Sequence, residues 1–209
     1  MKKGIVIGIG TLLALLLLVR YCVLDIVVMA EGRCPKAGSW ALVNRWAYGY
    51  RLPWSADTRI ANKKASRGDW MAYNRPIAQR GEEPDTTTVC IGRCSAGPGD
   101  TLWYNNESGR IADHKDVRNG FSHMLIVPGK GKKLNITNDN LHFYALTIML
   151  HEPVKASIVG DSLCVSGRMQ GQYTFRQDYY WITTEDPKDL SDSRTFGFVP
   201  HVSLVGRIL

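Results

Sequence analysis

The chain begins with its longest apolar stretch. Lys2 and Lys3 are followed by Gly4 to Val19, sixteen uncharged residues of which only Thr11 is polar. At about 1.5 Å per residue a helix over this stretch covers most of a bilayer's hydrocarbon core. Apolar residues resume beyond Arg20, from Tyr21 to Leu24 and from Ile26 to Met29. Tilt, with Arg20 reaching back to the headgroups, can therefore supply the missing length. The reading favoured is an uncleaved transmembrane helix over residues 1–25 with a cytoplasmic amino terminus set by Lys2 and Lys3. A cleaved signal peptide is the competing reading, because Val28 and Ala30 fit the small-residue rule before Glu31. The β-branched and aromatic run from Arg20 to Ala30 is long for a cleavage region and suits a strand leaving the membrane.

Beyond residue 26 the apolar positions come in short runs bounded by glycine and proline. The pattern predicts strands at Trp40 to Val43, Asp69 to Tyr73, Thr88 to Ile91, Thr101 to Tyr104, Met124 to Val127 and Phe196 to Val199. Turn signals at Pro98-Gly99-Asp100 and Gly160-Asp161 make the architecture mainly antiparallel β. One helix interrupts it: Leu141, Tyr144, Ala145 and Ile148 recur at helical spacing behind the capping residues Asn138 and Asp139, and Pro153 stops it. Residues Ser66 to Asp85 are expected to be an exposed loop region. The segment 109–171 is expected to form an inserted β subdomain carrying the helix, within a β domain spanning 26–209.

Composition narrows the classes of function. With 26 Lys and Arg against 19 Asp and Glu, the net charge of +7 favours an anionic partner, either nucleic acid or a membrane surface. No nucleic-acid-binding signature accompanies the scattered basic residues, so the membrane is the partner expected and nucleic acid is not. The five cysteines, Cys22, Cys34, Cys90, Cys94 and Cys164, lack metal-site spacing, and neither metal nor cofactor is expected. Cys90 and Cys94 fall four apart on one face of a strand. Either could pair with Cys34 in an oxidising compartment, or both could be buried free thiols.

Four segments, taken in order, resemble the bacterial signal peptidase I family: Asn44 to Pro53 (NRWAYGYRLP), Arg67 to Asn74 (RGDWMAYN), Ile91 to Leu102 (IGRCSAGPGDTL) and Ser191 to Arg207 (SDSRTFGFVPHVSLVGR). The resemblance implies a signal-peptidase-like antiparallel β fold after an amino-terminal anchor. It implies a single-pass protein of the bacterial cytoplasmic membrane whose folded part lies on the outer, periplasmic side. It also implies a shell of structural residues: Arg93 paired with Glu185, Asp100 in the Pro-Gly-Asp turn, and Asp192, Ser193 and Arg194. Asp192 and Arg194 stand two apart, on one face of an extended segment where carboxylate and guanidinium can pair. Gly99 gives its turn a positive-φ option, and Gly197 permits close backbone approach in a strand.

The family hydrolyses peptides with a serine nucleophile and a lysine base of depressed pKa. The serine stands in a Gly-Ser-Met-x-Pro context, which corresponds here to Gly32-Arg33-Cys34-Pro35, so the nucleophile position holds Arg33. The base precedes the arginine of the box ending in Pro-Gly-Asp, and that position is Gly92. The serine that orients the base corresponds to Leu190, and the turn ahead of it to Thr184-Glu185-Asp186-Pro187. The resemblance thus implies an inactive member. Cys34, Ser39 and Lys36 are the residues that could rebuild a nucleophile and base, although Lys36 lies in a shortened loop where its pKa should stay high. His114, His123, His142, His151 and His201 lie outside both segments.

In active relatives the substrate lies as an added strand between two segments that correspond here to Ile26 to Gly32 and Val89 to Ile91. Main-chain recognition can outlast the catalytic side chains. The expected function is a non-catalytic homologue that binds exported-protein segments or a membrane partner, with Arg33 as a possible plug of the cleft. Two alternatives remain: a working signal peptidase with a non-standard dyad, and a structural subunit of an active paralogue or an export complex.

Overall fold

The computed structural model describes residues 2–22, 24–28, 40–51, 59–60, 63–76, 89–105, 110–112, 114–184 and 192–209. Helix α1 (Lys2–Cys22) opens the chain. Its side chains are described from Ile7 to Leu17, where the large apolar residues are exposed, Leu17 at 68%. Among the described residues no helix is long and apolar enough to cross a membrane.

The body is built on one seven-stranded antiparallel sheet. Its strands are β1 (Leu24–Val28), β2 (Trp40–Asn44), β3 (Trp70–Asn74), β4 (Val89–Ala96), β5 (Tyr179–Thr183), β6 (Val199–Pro200) and β7 (Leu204–Ile208). They lie side by side in the order β1-β2-β7-β3-β4-β5-β6. Strand β3 is central and buried on both faces, with Met71, Ala72 and Tyr73 fully enclosed. That explains why its sequence is a continuous apolar run rather than an alternation. It also removes residues 70–74 from the loop expected over Ser66 to Asp85. Residues 77–85 of that loop lie outside the described residues.

Three smaller sheets and a helix fill the chain between β4 and β5. Thr101–Tyr104 pairs with Ile111–Ala112 and His123–Ile126, Lys133–Asn135 pairs with Gln172–Thr174, and Ala156–Val159, Ser162–Val165 and Arg168–Gln170 form a meander. Helix α2 (Leu141–His151) buries Leu141, Tyr144, Ala145 and Ile148 at the spacing read from the sequence, and it ends before Pro153. Its cap differs from expectation. Asn140 stands at the N-cap without a side-chain bond to the helix, its Oδ1 accepting instead from Thr137 N, while the Asp139 carbonyl accepts from the Tyr104 hydroxyl. Tyr144 anchors the helix, its hydroxyl donating to Ile126 O and accepting from Ile126 N.

Two larger cores lie against the sheet, beside a small cluster around Val43 and Ala72. One joins Trp181 and Phe198 to Leu102, Leu125, Tyr144 and Ile148, so α2 and the smaller sheets share a core with β5. The other joins Ile182 to Met71, Tyr73, Cys90, Cys94 and Leu204. Consecutive residues of β5 therefore feed different cores, as strand alternation requires.

One strand expected from the sequence is absent. Residues Ser193–Phe196 form a short helix, α3, and of the segment Phe196 to Val199 only Val199 lies in a strand, Val199–Pro200. Asp192 causes the difference: its carboxylate accepts from Arg194 N and caps the turn. Gly197 ends α3 at φ +74°, and a Cβ there would meet nothing within 4 Å, so positive φ and not close approach is its role.

Candidate functional site

Gly92 sits buried within β4. Along one edge β4 pairs from Val89 to Arg93, with Trp70 opposite Arg93 and Asn74 opposite Val89. Along the other edge β5 covers only part of it, with Trp181 opposite Ala96, Ile182 opposite Cys94 and Thr183 opposite Arg93, and a register shift after Trp181. From Val89 to Gly92 that second edge has no partner strand among the described residues.

The space in front of Gly92 is occupied. A Cβ at this position would lie 2.6 Å from Ile182 Cγ2 and 3.1 Å from the Thr183 carbonyl oxygen. Carbon atoms pack at about 3.5–4.0 Å, so no side chain can start here unless Ile182 moves. Ile182 is fully buried among Met71, Cys90 and Cys94. The thiol two residues along, Cys94, is 1% exposed. Burial, with Asp69 and Asp100 nearby, pushes it up to about 12, which leaves it a protonated and unreactive thiol at neutral pH. Among the described residues, Cys90, Cys94 and Cys164 form no disulfide. The pairing with Cys34 considered above involves a residue outside the described ones.

The turn after β4 is built as its sequence suggests. Gly99 takes φ +93°, and the Asp100 carboxylate accepts from Gly97 N at 2.8 Å. Arg93 is exposed and donates through Nε to Gly68 O at 3.3 Å. Its expected partner Glu185 lies outside the described residues, as do Arg33, Cys34, Lys36, Ser39 and Leu190.

Asp192, Ser193 and Arg194 come together at the end of β5. The Asp192 carboxylate is fully buried and accepts from Arg194 N at 2.9 Å, Arg194 Nε at 2.8 Å and Thr184 N at 2.9 Å. Arg194 Nη2 lies 2.6 Å from the same carboxylate and donates to Thr184 Oγ1 at 2.9 Å. The expected pair is therefore present, but helical capping geometry brings the two residues together, and not a shared face of an extended strand. Ser193 Oγ accepts from Ile182 N at 2.9 Å. The residue that fills the space before Gly92 is thus held at its backbone by this turn.

A model of signal peptidase, peptidase S26, matches the chain over residues 3–209. The protein belongs to the signal peptidase S26 family. No individual curated protein matches it. Among the described residues of this signal peptidase family member, no group of three or more His, Cys, Asp or Glu could hold a metal ion.

Ile182 and Thr184 were missed at the level of sequence. Ile182 reads only as one apolar residue of the run Tyr179 to Thr183. Which glycine it meets depends on the register between β4 and β5, and that register contains a shift.

Proposed function

We propose that this signal peptidase family protein is non-catalytic and holds extended segments of exported proteins, or of a membrane partner, by main-chain hydrogen bonds. The observation that carries the reading is the contact between Gly92 and Ile182. The resemblance puts the family's base at Gly92, where the sequence supplies no amine and the Ile182 Cγ2 position leaves no room for one. The neighbouring thiol offers no substitute, because burial keeps it protonated.

Binding has support of its own. Strand addition needs an open backbone edge, and both segments that the resemblance assigns to the peptide cradle offer one. Among the described residues no strand pairs with the second edge of β4 from Val89 to Gly92, and β1, which contains Ile26 to Val28, is the outermost strand of its sheet. The membrane setting completes the proposal: residues 1–25 anchor the protein in the bacterial cytoplasmic membrane through α1, whose apolar side chains from Ile7 to Leu17 are exposed, and residues 26–209 lie on the outer side with 109–171 as an inserted subdomain.

Site-directed cross-linking tests this reading. A photoreactive residue at Val89 of the full chain in detergent is expected to capture a synthetic signal peptide that stays full length. Capture no better than that of a polar peptide of equal length, or recovery of the peptide as fragments, would overturn it.

A further inference from the structure

A cavity of about 670 Å3 opens on the face of the sheet away from Gly92. Its floor is Trp181 and Phe198, which belong to the core opposite Ile182, and Ile111, Phe143 and Leu146 complete the apolar wall. The volume falls in the roughly 300–1,000 Å3 range of small-molecule sites. Trp181 is 4% exposed and stacks edge-on against Phe198 at 5.7 Å, so the floor is rigid.

Among the described residues, the charged side chains lining this cavity are arginines, one of which, Arg194, is paired with the buried Asp192 carboxylate. Among the described lining residues are two arginines, Arg110 and Arg194, and His142, but no carboxylate. Arg194 is engaged by Asp192 and Thr184, which places its guanidinium in a fixed position, while Arg110 is exposed. Thr195 adds a hydroxyl. An apolar floor under a basic rim matches a ligand with a hydrocarbon body and an anionic end.

We infer that this cavity binds a single-chain anionic amphiphile, a fatty acid or lysophospholipid, with its chain over Trp181 and Phe198 and its head group at Arg110. The inference does not depend on the proposed peptide binding, because the cavity and Gly92 lie on opposite faces of the sheet. Nor does it include a chemical step. A bilayer is a source of such molecules, and the anchor proposed above would keep the cavity close to one.

Trp181 supplies its own probe. Dibromostearate quenches tryptophan by contact, so titrating it into the full chain in detergent is expected to give a saturable quench that Trp181→Phe, which keeps an aromatic floor, removes. Arg110→Glu, a change at an exposed position, should weaken the titration by about tenfold, and the uncharged methyl ester should be weaker than the acid by a similar factor. Unbrominated stearate and lysophosphatidylglycerol, used as competitors, distinguish the two sources of the same chemistry. The inference fails if the quench is unsaturable, if it persists in Trp181→Phe, or if acid and ester titrate alike. It also fails if an apolar peptide with a free carboxyl terminus displaces the probe at lower concentration than stearate, since the occupant would then be a chain terminus.

Discussion

Gly92 and the Asp192 turn both pack against the end of β5, and they do so differently. At Asp192 a buried carboxylate, a guanidinium and a serine hydroxyl are hydrogen-bonded onto the end of β5. At Gly92 there is no side chain, and the neighbouring Ile182 has filled the space. The difference separates scaffold from chemistry. Residues of the turn satisfy the buried Ile182 N and the half-buried Thr184 N, so they contribute to folding whatever the protein does. On the proposed reading a base at Gly92 would have had no such duty, and its position could close by packing.

The largest effect expected from breaking this contrast is at the Asp192 turn. Asp192→Ala removes the acceptor of several hydrogen bonds and the cap of α3, and should cost about 3 kcal/mol in denaturant unfolding of the full chain in detergent. At the filled space, Gly92→Ala should cost about 2 kcal/mol by overpacking. Combined with Ile182→Ala it should cost at least about 1 kcal/mol less than the sum of the single changes, because the second change makes room for the first. Additive costs would show that the two residues do not share one space.

Acid sharpens the comparison further. Burial, helped by Arg59 and opposed by Asp178, pushes His201 down to about 4, beside the Tyr180 hydroxyl at 3.2 Å and one residue after β6. Its neutral form is the folded one, so the unfolded chain binds the extra proton. Stability from His201 is complete above its ordinary value of 6.5 and is lost as pH falls from there towards 4. His201→Gln should lower the dependence of stability on pH across that window by about one proton. The smallest effect belongs to exposed Arg93, where Arg93→Ala should change stability by less than about 0.5 kcal/mol. A larger loss would mean that the shell around Gly92 bears on folding as heavily as the Asp192 turn.

Much of this architecture was legible in the sequence, for identifiable reasons. Thr101 to Tyr104, Trp40 to Val43 and the helix behind Asn140 follow from periodicity, since each presents one face to one core. The segment after Asp192 misled because an aromatic and β-branched run outweighed a local cap. Here a single side-chain hydrogen bond decides between strand and turn, and periodicity cannot register it. The resemblance drew attention to Gly92, whose place at the family's base position belongs to the proposal. Ile182 was not visible as its complement, because contact across two strands depends on a register shifted by one residue. The pairing of Asp192 with Arg194 was foreseen for the wrong geometric reason, which shows that residue identity outlasts an error in local conformation.

The account's central claim is that peptide hydrolysis has been lost, and the most direct test is cleavage of a preprotein by the purified full chain in membranes, alongside an active signal peptidase. The account predicts no cleavage by the unaltered chain while the active enzyme processes the same preprotein. Cleavage by the unaltered chain would contradict it and direct attention to Cys34, Ser39 and Lys36 as the reacting groups.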